Sequence, residues 1–157
     1  RDVLGSRGLG DVYKRQRIGC IEAYCSVSAL IRMTRESMQL NAKSKMWELA
    51  QNSLDHVNGR TAFDAMRAGD EAASRVVDQY IDYIAYAVSG MINLFQPQAV
   101  VIGGGISKEG ETLFGPVRAR AYPQTFNHEE QNCARILQAK LGNDAGIIGA
   151  ALLGKQY

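Results

Sequence analysis

The chain has 157 residues, of which 46% are hydrophobic and 22% are charged, and its formal net charge is +2. This length and composition are typical of one ordinary globular domain with a real core. The small charge and the short apolar runs give no indication of nucleic acid or a membrane as a partner. Three cysteines without a disulfide pattern favour a reducing compartment, and we expect a cytoplasmic protein.

The first 16 residues, RDVLGSRGLGDVYKRQ, differ in character from the rest of the chain. They follow neither a helical nor a strand period. Glycine-rich loops that bind phosphate follow a strand, and none is predicted here. The segment resembles a translated sequencing adapter. We therefore expect residues 1–16 to be a non-native lead, irregular or disordered, and exclude them from the fold prediction.

The pattern of apolar residues predicts two helices in the next part of the chain. Apolar residues recur at the i, i+3, i+4 spacing from Tyr24 to Ile31, which predicts a helix over residues 22–36. A second short helix is predicted over residues 44–54. Its apolar face would consist of Met46, Leu49 and Ala50. We expect Trp47 to serve packing.

The longest predicted helix covers residues 71–95. Thr61 and Asp64 have the spacing of a capping box and predict a shorter helix before it, while Asp70 is placed to cap the long helix. Pro97 ends it. One wide apolar face follows the 3.6-residue period. Its members are Val76, Val77, Tyr80, Ile81, Ile84, Val88, Met91, Ile92 and Phe95.

The stretch AVVIGGGIS, residues 99–107, is the strongest indication of a ligand site. Ala99–Ile102 predicts a strand buried on both faces, as in a parallel sheet. Ligands of open α/β sheets bind beyond the carboxyl ends of strands, and glycine lets a backbone approach a ligand closely. The glycines at this end are Gly103, Gly104 and Gly105. The alternative interpretation is a simple tight turn. The dinucleotide-binding pattern G-x-G-x-x-G, which would favour a nucleotide site, is not met.

The remaining elements complete a predicted βαβ unit. A helix over residues 109–120 and a strand over residues 134–139 imply a right-handed crossover and a parallel sheet. Residues 142–144 predict a turn and cap before a last helix over residues 145–153. The small residues of that helix suit either tight packing or a hinge beside a cleft.

A thiol and a carboxylate flank a junction between loop and helix at Cys20 and Glu22. Glu22 can favour the helix start through the dipole. Alternatively, its carboxylate can accept hydrogen bonds from a polyol. The residues alone leave both roles open.

Three stretches in order resemble the ROK family of sugar kinases and repressors. Residues 17–24 resemble the end of the family motif C-x-C-G-x-x-G-C-x-E, residues 100–107 its adenosine-side segment, and residues 142–153 its closing segment. Bacterial glucokinases are the members that the chain resembles most. The resemblance implies that residues 17–157 are an α/β, helix-rich C-terminal lobe of an actin-like ATPase (ribonuclease H-like) fold, with a small, mainly parallel sheet.

The resemblance also implies a function for the intact protein: phosphorylation of a hexose, most simply glucose to glucose 6-phosphate, with ATP and Mg²⁺. Glu22 would contact the sugar hydroxyls. Gly103, Gly104 and Gly105 would border the adenosine side of ATP. Two alternatives stay within the family: a kinase for fructose, N-acetylglucosamine or N-acetylmannosamine, and the sugar-sensing domain of a repressor. A third is an α/β interaction module without a ligand.

The sequence departs from the family pattern before Arg17. In the family, three motif cysteines and an upstream histidine hold a structural Zn²⁺, and Cys20 matches one of them. Arg15 and Tyr13 stand where two others belong, so Cys20 is a remnant ligand and we expect no stable zinc. The family's first domain, with its phosphate loop and catalytic Asp, has no counterpart here. We expect a fragment inactive alone, from a parent that is a homodimer.

Overall fold

The computed structural model describes residues 20–126, 134–141 and 144–153. The chain divides into two compact units, Arg1–Ala87 and Val88–Tyr157. The expected lead over residues 1–16 lies outside the described residues. No helix in the described part of the chain is long and apolar enough to cross a membrane.

The helices and strands in chain order are α1 (Glu22–Cys25), α2 (Val27–Leu40), α3 (Met46–Leu49), α4 (Thr61–Arg67), α5 (Glu71–Phe95), β1 (Ala99–Ile102), α6 (Glu111–Ala121), β2 (Arg135–Gln138) and α7 (Ala145–Leu153). Short 3₁₀ turns occupy Leu54–His56, Gly105–Glu109 and Tyr122–Gln124.

The helix predicted over residues 22–36 is in fact two helices. Ser26 separates α1 from α2 because its backbone is extended, with φ −80° and ψ 161°. Its hydroxyl accepts a hydrogen bond from the N–H of Ala29 at 3.1 Å and so caps α2. A serine before an apolar run was the signal for this break.

The helix predicted over residues 44–54 is shorter than expected. It is reduced to α3 because Gln51 and Asn52 both have left-handed backbones, with φ of 52° and 57°. Leu49 is exposed, contrary to the prediction, whereas Met46 is buried. Trp47 is half-buried, and its indole N–H donates to the carbonyl of Met38 at 3.1 Å.

Capping was predicted correctly for α5 and one residue off for α4. Thr61 is the first residue of α4, and its hydroxyl accepts from the N–H of Asn58 at 3.1 Å. Asp70 caps α5 as predicted, accepting from the N–H of Ala73 at 2.7 Å. Its other oxygen accepts from the N–H of Lys45 at 2.6 Å, so it also holds the loop before α3.

Helix α5 has the predicted bounds, and most of its apolar face forms the core. Seven of the nine predicted positions are buried: Val76, Val77, Tyr80, Ile81, Ile84, Val88 and Ile92. Met91 and Phe95 are exposed, contrary to the prediction, and Phe95 is 71% exposed. Gln96, at φ 45°, and Pro97 then turn the chain into β1.

The second unit contains the predicted parallel pair of strands. β1 and β2 pair in register from Ala99 opposite Arg135 to Ile102 opposite Gln138. Helix α6 packs against β2, where Ile136 is buried, and the Arg118 guanidinium donates to the Ile136 carbonyl at 3.4 Å. The prediction that β1 is buried on both faces is wrong for this chain, since Val101 is 59% exposed. The described residues do not provide enough cover for that face.

Helix α7 has the predicted bounds. The N–H of Asp144 donates to the Leu141 carbonyl at 3.1 Å just before it. The rest of the predicted turn, residues 142–143, lies outside the described residues.

Candidate functional site

The glycine loop begins where the sheet ends. The carbonyl of Ile102, the last residue of β1, accepts from the N–H of Ala139 at 2.9 Å. The glycines that follow are exposed. Ser107 is buried beneath them, and both its hydroxyl and its N–H donate to the Gly104 carbonyl, at 2.8 Å and 3.2 Å. Ser107 therefore fixes the shape of the loop from inside.

The three glycines differ in what an added side chain would meet. A Cβ on Gly103 would lie 3.3 Å from the Cβ of Ala139, which is tighter than most real contacts. Gly104 has φ 82° and ψ −176°, a conformation open almost only to glycine. A Cβ on Gly105 would meet no atom within 4 Å. At Gly105 the fold itself thus leaves room for a side chain, and the bare backbone faces solvent at the carboxyl end of β1.

Glu22 lies in the first turn of α1 and is exposed. A helix of four residues is not stable by itself, so its position depends on tertiary contacts. The Arg32 guanidinium donates to the Ala23 carbonyl at 3.2 Å. The Tyr24 ring meets Tyr83 edge to face with centroids 5.1 Å apart. Helices α2 and α5 therefore hold α1, the short helix to which Glu22 belongs, in place.

Tyr80 anchors the end of α1. Its hydroxyl donates to the Cys25 carbonyl at 2.8 Å, and its side chain is fully buried. Burial raises the pKa of Tyr80, which keeps the hydroxyl protonated and able to donate. The sequence identified Tyr80 only as an apolar core position, and Arg32 was not identified at all. No local pattern connects residues so far apart with α1.

The thiols do not provide a metal site within the described residues. Cys20 and Cys25 are half-buried, and Cys133 lies outside the described residues. Burial raises the pKa of Cys25 to about 11, which disfavours the thiolate that a metal needs. In the described part of the chain, no three His, Cys, Asp or Glu side chains cluster to hold a metal ion. This donor set does not fit a tetrahedral structural zinc.

A polar groove of about 410 Å³ lies at the start of α5. Its walls carry both signs of charge, Lys43 and Arg75 against Asp70 and Glu71. Burial raises the pKa of Asp70, but hydrogen bonds from the backbone of Ala73 and Lys45, among others, outweigh burial and hold the pKa below its usual value. Asp70 is thus occupied by capping, and its role in the groove is structural.

Comparisons with known proteins cover nearly all of the described chain. A family model described as the ROK family matches residues 16–157. The glucokinase of Thermotoga maritima is 38% identical over 138 residues, which cover 88% of this chain and 43% of that protein. The glucokinase of Halalkalibacterium halodurans is 34% identical over 144 residues, covering 89% of this chain and 42% of that protein.

Solved structures give the same picture. The crystal structure of a ROK family glucokinase from Streptomyces griseus, in complex with glucose and AMPPNP, aligns with a TM-score of 0.76 at 30% identity. The alignment covers 88% of this chain and 45% of the Streptomyces griseus chain. The ROK hexokinase of Thermus thermophilus aligns with a TM-score of 0.66 at 27% identity, over 87% of this chain and 40% of its own. The chain therefore spans less than half the length of these relatives.

Proposed function

We propose, from the premise that this chain belongs to the ROK family, that it is the C-terminal lobe of a kinase that phosphorylates glucose to glucose 6-phosphate with ATP. The observation that carries the proposal is the 38% identity to a glucokinase over 88% of the chain. Identity to N-acetylmannosamine and N-acetylgalactosamine kinases is lower, at 29% and 27%. This difference favours glucose over the aminosugars.

We propose that Gly103, Gly104 and Gly105 border the adenosine side of ATP. Their exposure at the carboxyl end of β1 supports this assignment, because ligands of α/β sheets bind there. The absence of a steric reason for glycine at Gly105 supports it further. A flat nucleoside can lie directly on backbone that carries no side chain.

We propose that Glu22 holds the sugar. Its side chain is exposed, and hydrogen bonds from sugar hydroxyls to a charged acceptor are stronger than those to a neutral one. The contacts of Arg32 and Tyr80 with the α1 backbone would hold that helix in place and so fix the direction from which the Glu22 carboxylate meets the sugar. Holding a hydroxyl in a fixed orientation lowers the entropic part of the barrier to phosphoryl transfer.

We propose that the side chains that contact the transferred phosphoryl group belong to the part of the relatives that this chain does not span. Phosphoryl transfer depends on positioning and on neutralising the charge of the phosphates. Mg²⁺ bound with ATP would supply part of that neutralisation, and no residue of this chain is assigned to it. The chain's own contribution is to bind and orient the sugar and the nucleoside.

The test uses a two-part protein, in which the part of the Thermotoga maritima glucokinase that this chain does not match is fused ahead of Arg17. Glucose phosphorylation is followed in a coupled assay. We expect Glu22→Gln to raise the KM for glucose by about tenfold or more, because a hydrogen bond to a charged group is lost, and to leave the KM for ATP unchanged.

The matched control is Glu71→Gln, another exposed glutamate in the first turn of a helix. It should leave both KM values unchanged. Equal kinetics for the two variants would contradict the role of Glu22. A two-part protein that binds glucose without phosphorylating it would contradict the kinase proposal and favour a sugar-sensing domain.

A further inference from the structure

Helix α1 ends without the hydrogen bonds that a continuous helix would supply. In an α-helix, the carbonyl of Ala23 would accept from the N–H of residue 27, and the carbonyl of Cys25 from the N–H of residue 29. The extended backbone at Ser26 breaks this pattern, and the N–H of Ala29 donates to the Ser26 hydroxyl instead. The carbonyls at the end of α1 therefore need partners from elsewhere.

Two side chains from distant positions supply those partners. Nη2 of Arg32, on α2, donates to the Ala23 carbonyl at 3.2 Å, and the Tyr80 hydroxyl, on α5, donates to the Cys25 carbonyl at 2.8 Å. All four residues belong to the first unit. Each bond exists only while α1 lies against the helix that donates it, so the two bonds together fix where α1 lies.

Both donors are themselves held in place. Tyr80 is fully buried. Nη1 of Arg32 donates to both carboxylate oxygens of Glu36, one turn further along α2, at 3.1 Å and 3.2 Å. Nε of Arg32 is buried and has no hydrogen-bond partner among the described residues. A buried donor without a partner costs free energy, so the two bonded nitrogens, and not Nε, set the position of the guanidinium.

The exposure of α1 decides what the loss of one bond would do. None of its four residues is buried. Water can therefore replace a lost donor at either carbonyl while the core stays folded, and α1 then leaves its position in a fraction of the molecules. A ligand that binds only the positioned state binds more weakly in proportion to the fraction that remains positioned.

We propose that Arg32 and Tyr80 are positioning residues for sugar binding, and that they act on Glu22 through the backbone of α1. The inference rests on the proposed role of Glu22 in holding the sugar. Neither positioning residue has to touch the sugar. Their effect is on the fraction of molecules in which Glu22 is correctly placed.

The first test measures how firmly α1 is held in this chain alone. Tyr80→Phe removes one hydroxyl and keeps the ring in the core, and Arg32→Met removes the guanidinium from a partly exposed side chain. Hydrogen–deuterium exchange is followed for the amides of residues 23–26, which donate within and just after α1. We expect their exchange to become about threefold faster or more in each variant, because a hydrogen bond that fixes α1 is lost.

Thr34→Val is the matched control for the first test. The Thr34 hydroxyl is buried and donates to the Leu30 carbonyl at 2.7 Å, so this variant also loses a bond from a hydroxyl to a carbonyl, but not one to α1. It should leave the exchange of residues 23–26 unchanged. Unchanged exchange in Tyr80→Phe or in Arg32→Met would overturn the inference for that residue.

The second test connects α1 with the sugar in the two-part protein. We expect Tyr80→Phe to raise the KM for glucose about threefold or more and to leave the KM for ATP unchanged. In the Glu22→Ala background, Tyr80→Phe should have no further effect on the KM for glucose, because the side chain through which it acts is gone. An equal effect in both backgrounds would overturn the inference.

The second test also separates the inference from the proposed function. If Glu22→Ala raises the KM for glucose and Tyr80→Phe does not, the inference fails and the proposed role of Glu22 stands. If Glu22→Ala alone leaves the KM for glucose unchanged, the proposed role of Glu22 fails, and the inference fails with it.

Discussion

The three glycines of the loop, Gly103, Gly104 and Gly105, differ in whether the fold requires a glycine at that position. Glycine is needed at Gly104 because of its backbone conformation, and at Gly103 because the backbone lies close to Ala139. Neither reason applies at Gly105. Substitution can therefore separate the part of the loop needed for folding from the part left for a ligand.

We predict that Gly104→Ala lowers the free energy of unfolding by about 1–3 kcal/mol, because alanine is strained at φ 82°. Gly105→Ala should change it by less than about 0.5 kcal/mol. In the two-part protein, Gly105→Ala should nevertheless raise the KM for ATP. Urea denaturation and steady-state kinetics measure the two effects. An unchanged KM for ATP would remove the support for a nucleotide beside Gly105.

Asp70 provides a prediction about pH. Its pKa is lower in the folded protein than in the unfolded chain, so the stability it contributes is present above about pH 4 and is lost as the pH falls through the folded value. Asp70→Ala should lower the free energy of unfolding by about 1 kcal/mol at pH 7. This deficit should shrink towards pH 3.

Urea denaturation across this pH range measures the effect of Asp70→Ala. Asp55→Ala, which removes an exposed carboxylate, is the control and should leave the free energy of unfolding at pH 7 nearly unchanged. A deficit for Asp70→Ala that is constant with pH would show that the carboxylate charge is not what matters.

Sequence reasoning succeeded at the residue scale where the interaction is local. Asp70 precedes an apolar period by a capping distance, and the cap was predicted correctly. The hydrogen bond from Tyr80 to the Cys25 carbonyl joins residues 55 positions apart. Such a contact depends on how α5 packs, which no spacing in the sequence records. The roles of Glu22 and Gly103–Gly105 stay predictions.

At the scale of elements, bounds were predicted best where strong signals lie at both ends. Helix α5 has Asp70 before it and Pro97 after it, and its predicted bounds are confirmed. The break at Ser26 was missed because the apolar period continues across it. The burial of β1 was wrong on one face because that face depends on a layer that the described residues do not supply.

We predict that Gly90→Ala stabilises α5. Gly90 is exposed, and an added Cβ would meet no atom within 4 Å. Alanine is favoured over glycine in a helix interior by about 0.5–1 kcal/mol, so the free energy of unfolding should rise by that amount.

Gly59→Ala makes the same chemical change where there is no room, since its Cβ would lie 2.8 Å from Cγ1 of Val27. It should lower stability, and thermal unfolding measures both variants. A loss of stability in Gly90→Ala would mean that the surface of α5 is covered at that point.

At the scale of the whole molecule, the fold class was predicted correctly. The chain is helix-rich with a small parallel sheet, and its structural relatives are ROK sugar kinases, as the three motifs indicated. These motifs carried the family because their order and spacing are specific together. What the sequence did not reveal is that Val101 and Ile147 are exposed, because burial depends on tertiary packing and not on the local apolar pattern.

We predict that the chain alone has negligible glucose kinase activity. Phosphoryl transfer requires positioning by the whole cleft, and the chain spans only 43% of a glucokinase relative. A coupled assay with glucose and ATP, compared with the two-part protein at equal concentration, measures this. Turnover by the chain alone at the rate of the two-part protein would show that the remaining part is dispensable for chemistry.

The indole of Trp47 is hydrogen-bonded to the Met38 carbonyl, and its fluorescence reports on unfolding without an added label. It is the only tryptophan in the sequence, and it lies in the unit Arg1–Ala87. Emission excited at the red edge of indole absorption therefore follows the melting of that unit, while circular dichroism follows the helices of both. Comparing the two signals in one titration shows whether the units lose structure together.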